Sequence, residues 1–165
     1  MQGTIYITNS GANSGQGGDT VIIIGAGSTT ITATQDATTN YTSGSVTASL
    51  VVSPIAPTIG TLTVPAKNFG DAAFNLTSPT SNSSGAFTYT SSNTAVATVT
   101  SAGGVVTIVG VGSTTITATQ AASADGNYTG GSSVGAALVV SASLSNFSVP
   151  AKTYGDASFL SLIHI

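Results

Sequence analysis

Two strings of residues occur twice in this chain at the same spacing. GAGSTTITATQ from Gly25 returns as GVGSTTITATQ from Gly110, and VPAKNFGDAAF from Val64 returns as VPAKTYGDASF from Val149. Both pairs are offset by 85 positions. That period has the size of one small domain, so the sequence predicts a tandem array of such domains.

The repeated string GSTTITATQ has the alternation of a β-strand with one solvated face. In the copy that starts at Gly112, Ile116 and Ala118 fall on one side and alternate threonines fall on the other. β-branched residues favour extended backbone. We therefore predict that Ile116 and Ala118 face a core, and that Gly110 and Gly112 bound a tight turn before the strand.

The middle copy, residues 59–140, contains about seven short alternating segments separated by turn residues, with no helical period. This pattern predicts a β-sandwich whose core is formed by the inward side chains. The predicted core residues are Leu62, Val64, Phe74, Phe87, Tyr89, Val106, Ile108, Ile116, Ala118, Leu138 and Val140. The predicted turn or capping residues are Asp71, Gly110, Gly112 and Asp156.

The repeat comparison divides the chain into five parts. We expect residues 1–52 to be the C-terminal part of a truncated domain, 53–58 a linker, 59–140 a complete domain, and 141–159 the first strand or strands of a third. The two prolines of the linker should limit bending. The last six residues, LSLIHI, back-translate to CTGTCTCTTATACACATC, which resembles a sequencing adaptor, so we interpret 160–165 as a scar and exclude them from fold reasoning.

Composition excludes several classes of function. Charged residues are 4% of the chain, and Lys and Arg number two, whereas nucleic-acid binding needs cationic side chains against phosphates. The longest apolar run, VIIIGAG from Val21, is far shorter than the roughly 20 residues of a membrane-spanning helix. Cys and Glu are absent, and the one histidine, His164, lies in the terminal hexapeptide. We therefore expect no nucleic-acid partner, no membrane insertion by this segment, no enzymatic activity, no cofactor and no metal.

Three pairs of equivalent side chains leave alternatives open. Asp71 and Asp156 suit turns that accept backbone N–H bonds, and the alternative is a cation site between domains. Lys67 and Lys152 suit packed stems with solvated ammonium groups, and the alternative is an isopeptide crosslink. Tyr41 and Tyr128, each in an NYT triplet, suit loop-anchoring hydroxyls, with sugar stacking as the alternative.

Four segments resemble the bacterial immunoglobulin-like domains that form long arrays on surface proteins. They are FTYTSSNTAVATVT from Phe87, VVTIVGVGSTTITATQA from Val105, NYTGGSS from Asn127 and ALVVS from Ala137. VPAKTYGDASF from Val149 is similar to the "YGD" opening of one subgroup. The resemblance implies an all-β fold of tandem immunoglobulin-like sandwiches, one complete copy and two partial ones.

The same resemblance implies an extracellular or cell-surface location in a bacterium. The expected function is a structural spacer or stalk in a large adhesin-like repeat protein, with neighbouring repeats of the same chain as partners. The alternatives are a module that binds a surface glycan or protein, and an accessory domain of a secreted polysaccharide-degrading enzyme. Family membership alone does not choose among them.

Overall fold

The computed structural model describes residues 5–8, 20–143, 151 and 153–157. These residues form eleven β-strands. The structure does not describe residues 144–150, Lys152 and 158–165. The predicted scar at residues 160–165 and much of the predicted third copy therefore lie outside the described residues. The strands are β1 (Ile5–Thr8), β2 (Thr20–Ile23), β3 (Gly27–Gln35), β4 (Gly44–Val52), β5 (Lys67–Asn68), β6 (Phe74–Asn75), β7 (Phe87–Ser91), β8 (Ala97–Val99), β9 (Val105–Ile108), β10 (Gly112–Gln120) and β11 (Ser133–Ser141).

The middle unit consists of two sheets. One has the strand order β5-β11-β10-β7 and the other has the order β6-β9-β8. All pairings are antiparallel except that of β5 with β11, which is parallel. Two sheets of four and three strands with this order are typical of an immunoglobulin-like sandwich. The prediction of an all-β, immunoglobulin-like fold is confirmed.

The core of this unit is formed by side chains from both sheets. Ile116 in β10, Leu138 in β11 and Val106 in β9 have no exposed surface. Among the other predicted core residues, Leu62, Tyr89, Ala118 and Val140 are buried, and Val64, Phe74, Phe87 and Ile108 are half-buried against them. Val96 and Ala97, which the sequence analysis did not select, complete the core cluster.

The opening segment of the unit forms less strand than its alternation suggests. Strand β5 is limited to Lys67 and Asn68, two residues beyond Pro65. Proline has no N–H to donate to a sheet ladder, so regular pairing starts after it. Leu62 is nevertheless 6% exposed, because the irregular chain still places this side chain in the core.

The first unit repeats four strands of the middle unit. Strand β2 precedes β9 by the 85-residue period, and its pairing of Ile5 with Ile23 matches that of Ala97 with Ile108. Hairpin β1–β2 is therefore equivalent to hairpin β8–β9, although residues 9–19 connect it where residues 100–104 connect the other. Pairing of β3 with β4 likewise corresponds to that of β10 with β11.

Equivalent side chains in the two units differ in burial. Ile116 and Ala118 are fully buried, whereas Ile31 is half-buried and Ala33 is exposed. In the middle unit β10 has β7 on one edge and β11 on the other. In the described part of the first unit, β3 pairs with β4 alone. The same sequence therefore has different surroundings in the two places.

Truncation of Ile116 should destabilise the middle unit more than the matched change destabilises the first. We expect Ile116→Ala to cost about 2–5 kcal/mol of the free energy of unfolding, because it opens a cavity at a fully buried site. Ile31→Ala, at a half-buried site, should cost less. Chemical denaturation followed through amide signals of β10 and β3 measures both. Equal losses would show that Ile116 does not anchor the core.

Candidate functional site

The joint between the two units is held by one hydrogen bond from the first unit to the second and by two from the linker to the second unit. The joint comprises the turn at residues 25–27, the linker at residues 53–58, and the β10–β11 loop at residues 121–132. The main-chain N–H of Ala26 donates to Oδ1 of Asn127 at 2.6 Å. The N–H of Ile55 donates to the Asn127 carbonyl at 3.1 Å, and the N–H of Thr129 donates to the Ile55 carbonyl at 2.9 Å.

The last two bonds form a short parallel bridge between the linker and the loop. Ile55 is bridged to Tyr128 in parallel, so the linker joins the middle unit as a one-residue strand. Backbone bonds of this kind restrain both direction and distance. The linker is therefore fixed to the second unit at Ile55, and not only by the stiffness of its prolines.

Asp125 shapes the loop that presents Asn127. The Ser123 hydroxyl donates to Oδ1 of Asp125. The same oxygen accepts the Asn127 N–H at 3.0 Å, and Oδ2 accepts the Asn127 side-chain amide at 3.0 Å. Because the amide nitrogen of Asn127 is held by Asp125, its Oδ1 is free to accept from Ala26. These bonds, that from Ser123 first, lower the pKa of Asp125 below its ordinary value.

Two glycines allow the close approach at the joint. Gly126 has φ of 75°, a left-handed conformation that lets the loop reverse between Asp125 and Asn127. A Cβ on Gly25 would lie 3.2 Å from Oδ1 of Asn127. The first unit therefore presents a bare backbone to the asparagine side chain.

A second polar arrangement restrains the β6–β7 loop, residues 76–86. The side chain of Gln120 is 1% exposed and completes its hydrogen bonding inside the protein. The Ser81 hydroxyl donates to Oε1 of Gln120 at 2.7 Å, and Nε2 donates to the carbonyls of Ser83 and Gly85 at 3.0 and 2.8 Å. The β6–β7 loop is thus attached to the end of β10.

A third arrangement surrounds Thr114, which is 4% exposed. Its Oγ1 accepts the Asn93 N–H at 2.9 Å and lies 2.9 Å from the Ser91 hydroxyl. Thr114 and Gln120 were not selected from sequence, although the alternation places them on the same face as Ile116. The alternation of β10 therefore indicates buried polar positions as well as apolar ones, although hydrophobicity alone identifies only the apolar ones.

Both predicted aspartate turns have the same geometry. Oδ2 of Asp71 accepts the Asn68 N–H at 2.9 Å, and Oδ2 of Asp156 accepts the Thr153 N–H at 2.9 Å. Within the described residues, no group of three His, Asp, Glu or Cys side chains could hold a metal ion.

The two predicted turn glycines face the chain that precedes them. A Cβ on Gly110 would lie 2.7 Å from the Ala95 carbonyl oxygen. Gly112 has φ of 134°, and its Cβ would lie 3.0 Å from Cγ2 of Val96. Both positions therefore disfavour a side chain, Gly110 through space and Gly112 through backbone conformation.

The remaining candidate side chains are dispersed. Nζ of Lys67 lies 4.8 Å from the centre of the Phe74 ring, in a cation–π contact. Tyr128 is half-buried at the joint, whereas Tyr41 in the first unit is 70% exposed. These residues come from different ends and faces of the strands, and the structure does not gather them into one pocket.

Part of the middle unit matches one known protein family. Residues 74–122 match the family model described as the immunoglobulin-like domain of intimin. The unit is similar to bacterial immunoglobulin-like surface domains. The matched segment is about three tenths of the chain, from β6 to just beyond β10. It does not distinguish the "YGD" subgroup. No curated protein matches the chain.

The matched segment of this immunoglobulin-like unit ends at Ala122, one residue before the turn that contains Asp125 and Asn127. The family likeness therefore covers much of the core and the Gln120 network, and Asp125 and Asn127 of the joint lie outside it. The described residues contain no helix of the length and apolarity that crossing a membrane demands.

Gln120→Met should loosen the β6–β7 loop of the middle unit. The substitution keeps the volume but removes the amide, so the carbonyls of Ser83 and Gly85 lose their donor. We expect a loss of about 1–3 kcal/mol in the free energy of unfolding. The matched control is Gln35→Met, at an exposed position of β3. Denaturation followed by amide exchange measures both, and equal losses would contradict a role for the amide.

Acidification should release Asn127 from Asp125. The folded-state pKa of Asp125 lies below its ordinary value of 3.8, so the restraint is present above that pH and is lost as the pH falls through the lower folded value. An NMR titration should show the Asn127, Tyr128 and Ala26 amides shifting together in this acidic range. Asp125→Asn is the control, and an unchanged transition in that variant would assign it to another carboxyl group.

Proposed function

We propose that this chain is a spacer segment of a bacterial surface or secreted adhesin-like protein, in which immunoglobulin-like units are joined end to end. The observation that carries the proposal is the joint, where the Ala26 N–H of the first unit donates to Asn127 of the second, and Ile55 of the linker bonds to the same loop. A flexible tether would need no such bonds. A spacer needs them, because its reach depends on each unit keeping a fixed direction relative to the last.

The two surfaces that meet at the joint lie at opposite ends of a unit. In the middle unit, the turn at residues 110–112 precedes β10 and the loop at residues 121–132 follows it, so a nine-residue strand separates them. At about 3.3 Å per residue this strand is about 30 Å long. The joint brings the turn end of the first unit to the loop end of the second. Such a head-to-tail contact does not close on itself and extends into a linear array.

The matching turn of the middle unit is available for a following unit. Val109 and Val111 in this turn are 48% and 55% exposed. Val111 is equivalent to Ala26, which the second unit contacts in the first joint. The turn at this end therefore offers a following unit an exposed surface, and the equivalent turn of the first unit already makes such a contact with the second.

A ligand-binding role is the less supported alternative. The loop at residues 76–86 would be its natural contact surface, yet Gln120 accepts from Ser81 and donates to Ser83 and Gly85 there. Asn82 accepts the Thr58 N–H through Oδ1 at 2.8 Å. Tyr128 is half-buried at the joint. Polar groups already paired within the protein contribute less to a ligand than free ones, because the internal bonds must first be broken.

A distance measurement tests the spacer role. The chain has no cysteine, so Thr47→Cys in the first unit and Thr98→Cys in the second give a unique pair of spin labels at exposed sites. We expect a narrow distance distribution between the labels. Asn127→Ala should broaden it because it removes the acceptor of the Ala26 N–H. The matched control is Asn40→Ala in the exposed NYT triplet of the first unit, which should leave the distribution unchanged.

Two results would contradict the proposal. One is a broad distribution in the parent chain, which would indicate a flexible tether. The other is saturable binding of the unlabelled chain on a glycan array, together with its loss in a Tyr41→Ala variant that stays folded. That second result would favour the binding module instead.

A further inference from the structure

The two units differ in length at the loop that forms the joint. In the first unit the β3–β4 loop closes with the Thr38 N–H on the Tyr41 carbonyl at 2.9 Å. In the middle unit the β10–β11 loop closes with the Ser123 N–H on the Tyr128 carbonyl at 3.2 Å. Each closure ends at the tyrosine of an NYT triplet, and the closure in the middle unit contains two more residues, Asp125 and Gly126. The whole loop is three residues longer, because thirteen residues separate the paired Thr119 and Ser133, whereas ten separate the paired Thr34 and Ser45. We call Asp125 and Gly126 the loop insertion.

The linkers differ in length as well. Eleven residues, 53–63, separate Val52 from Val64, whereas eight residues, 141–148, separate the equivalent Val140 from Val149. The linker before the middle unit is therefore three residues longer than the one after it. Alignment of Ser53 with Ser141 and of Thr58 with Ser143 places the extra residues at Ile55, Ala56 and Pro57. We call this triplet the linker insertion.

The linker insertion bonds to the lengthened loop at Asn127 and Thr129, and the loop insertion positions Asn127. Ile55 of the linker insertion donates to the Asn127 carbonyl and accepts from the Thr129 N–H, at 3.1 and 2.9 Å. Asp125 of the loop insertion accepts from the backbone and side-chain amides of Asn127 at 3.0 Å in each case. Gly126 supplies the left-handed residue between them. The loop insertion therefore positions Asn127, and the linker insertion supplies Ile55, which bonds to the Asn127 carbonyl.

We propose that the loop insertion and the linker insertion are a matched pair that selects which repeat can follow which. This inference rests on the proposed array. A long linker requires a following unit with the long loop, and a short linker requires one with the short loop. The array then contains two kinds of joint. The unit that follows the short linker at residues 141–148 carries a β-hairpin loop of the short type seen in the first unit, and it is the partner that the turn at Val109 and Val111 accepts.

Mismatch disfavours the wrong order of repeats. A long loop after a short linker leaves the Asn127 carbonyl and the Thr129 N–H without Ile55. A long linker before a short loop meets an NYT triplet that Asp125 does not orient, so the N–H and carbonyl of Ile55 lose their aligned partners. Unpaired polar groups at a contact destabilise the joint with the wrong neighbouring unit. This cost is larger than the gain from the correct contacts, and it is a general route to specificity.

A double-deletion cycle in the full chain tests the pairing, with the labels at Thr47→Cys and Thr98→Cys. The four chains are the parent, one without residues 55–57, one without residues 125–126, and one without both. We expect each single deletion to raise the ratio of open to closed joint by about fivefold or more. The double deletion should raise it less than either single deletion, because both unpaired sets are removed together.

The results separate this inference from the proposed function. One result is a narrow distance distribution in the parent chain, with a double deletion that changes the open-to-closed ratio by the product of the two single-deletion effects. This result overturns the matched pair and leaves the spacer proposal standing. A broad parent distribution overturns the spacer and the matched pair together. Single deletions that leave the distribution narrow also overturn the matched pair.

A second cycle keeps the chain length constant and guards against misfolding of the deletion variants. Ile55→Pro removes the N–H that donates to Asn127, and Asp125→Ala removes the acceptor that orients Asn127. We expect the double variant to be no more open than Ile55→Pro alone, since both changes break the same connection. If the effects of the two substitutions on the open-to-closed ratio multiply in the double variant, the pairing is overturned. The unfolding midpoint of β10 amide signals verifies that the middle unit stays folded in every variant.

Discussion

The inward face of β10 is the constraint on which the rest of the middle unit depends. Ile116 and Ala118 fill the space between the sheets, and Thr114 and Gln120 lie at the two ends of the same face. The apolar pair supplies burial without disulfides, in a chain that has no cysteine. The polar pair fixes the neighbouring loops, because each of its buried groups is satisfied by the backbone or hydroxyls of residues 81–93. One strand thus organises both the core and the loops at its ends.

This arrangement connects the fold to the joint. Gln120 ends β10, and the loop that starts at Ala121 reaches the first unit through Asn127. The base of that loop is rigid because the Gln120 N–H donates to the Ser132 carbonyl at 2.8 Å and the Gly131 N–H donates to the Gln120 carbonyl at 2.9 Å. A contact between units can only set direction if the loop that makes it is itself held. Backbone bonds at the base of the loop, and the Ser123 and Asn127 groups that donate to Asp125, supply that support.

Sequence alternation accounted for most of the fold because a strand with one buried face repeats every second residue. It placed Ile116, Leu138 and Val106 in the core, and the 85-residue offset predicted that β3 and β10 are equivalent. It missed Thr114 and Gln120, since polar residues on an inward face are usually taken for exceptions. Residue identities do not align the hairpin β1–β2 with β8–β9, because the loop at residues 9–19 is longer than that at residues 100–104. Pairing register resolved that hairpin, because hydrogen-bond partners, unlike residue identities, survive a longer loop.

The sequence alone determined the period, the strand class of each repeated string, the scarcity of cationic residues and the absence of thiols, because these properties belong to composition and local backbone preference. Tertiary structure decided which polar groups meet across the boundary between units. Ile55 and Asn127 are far apart in the chain, and neither carries a local signal for the other. Their contact exists because the sandwich brings the end of β10 beside the linker, and only a folded unit can impose that proximity.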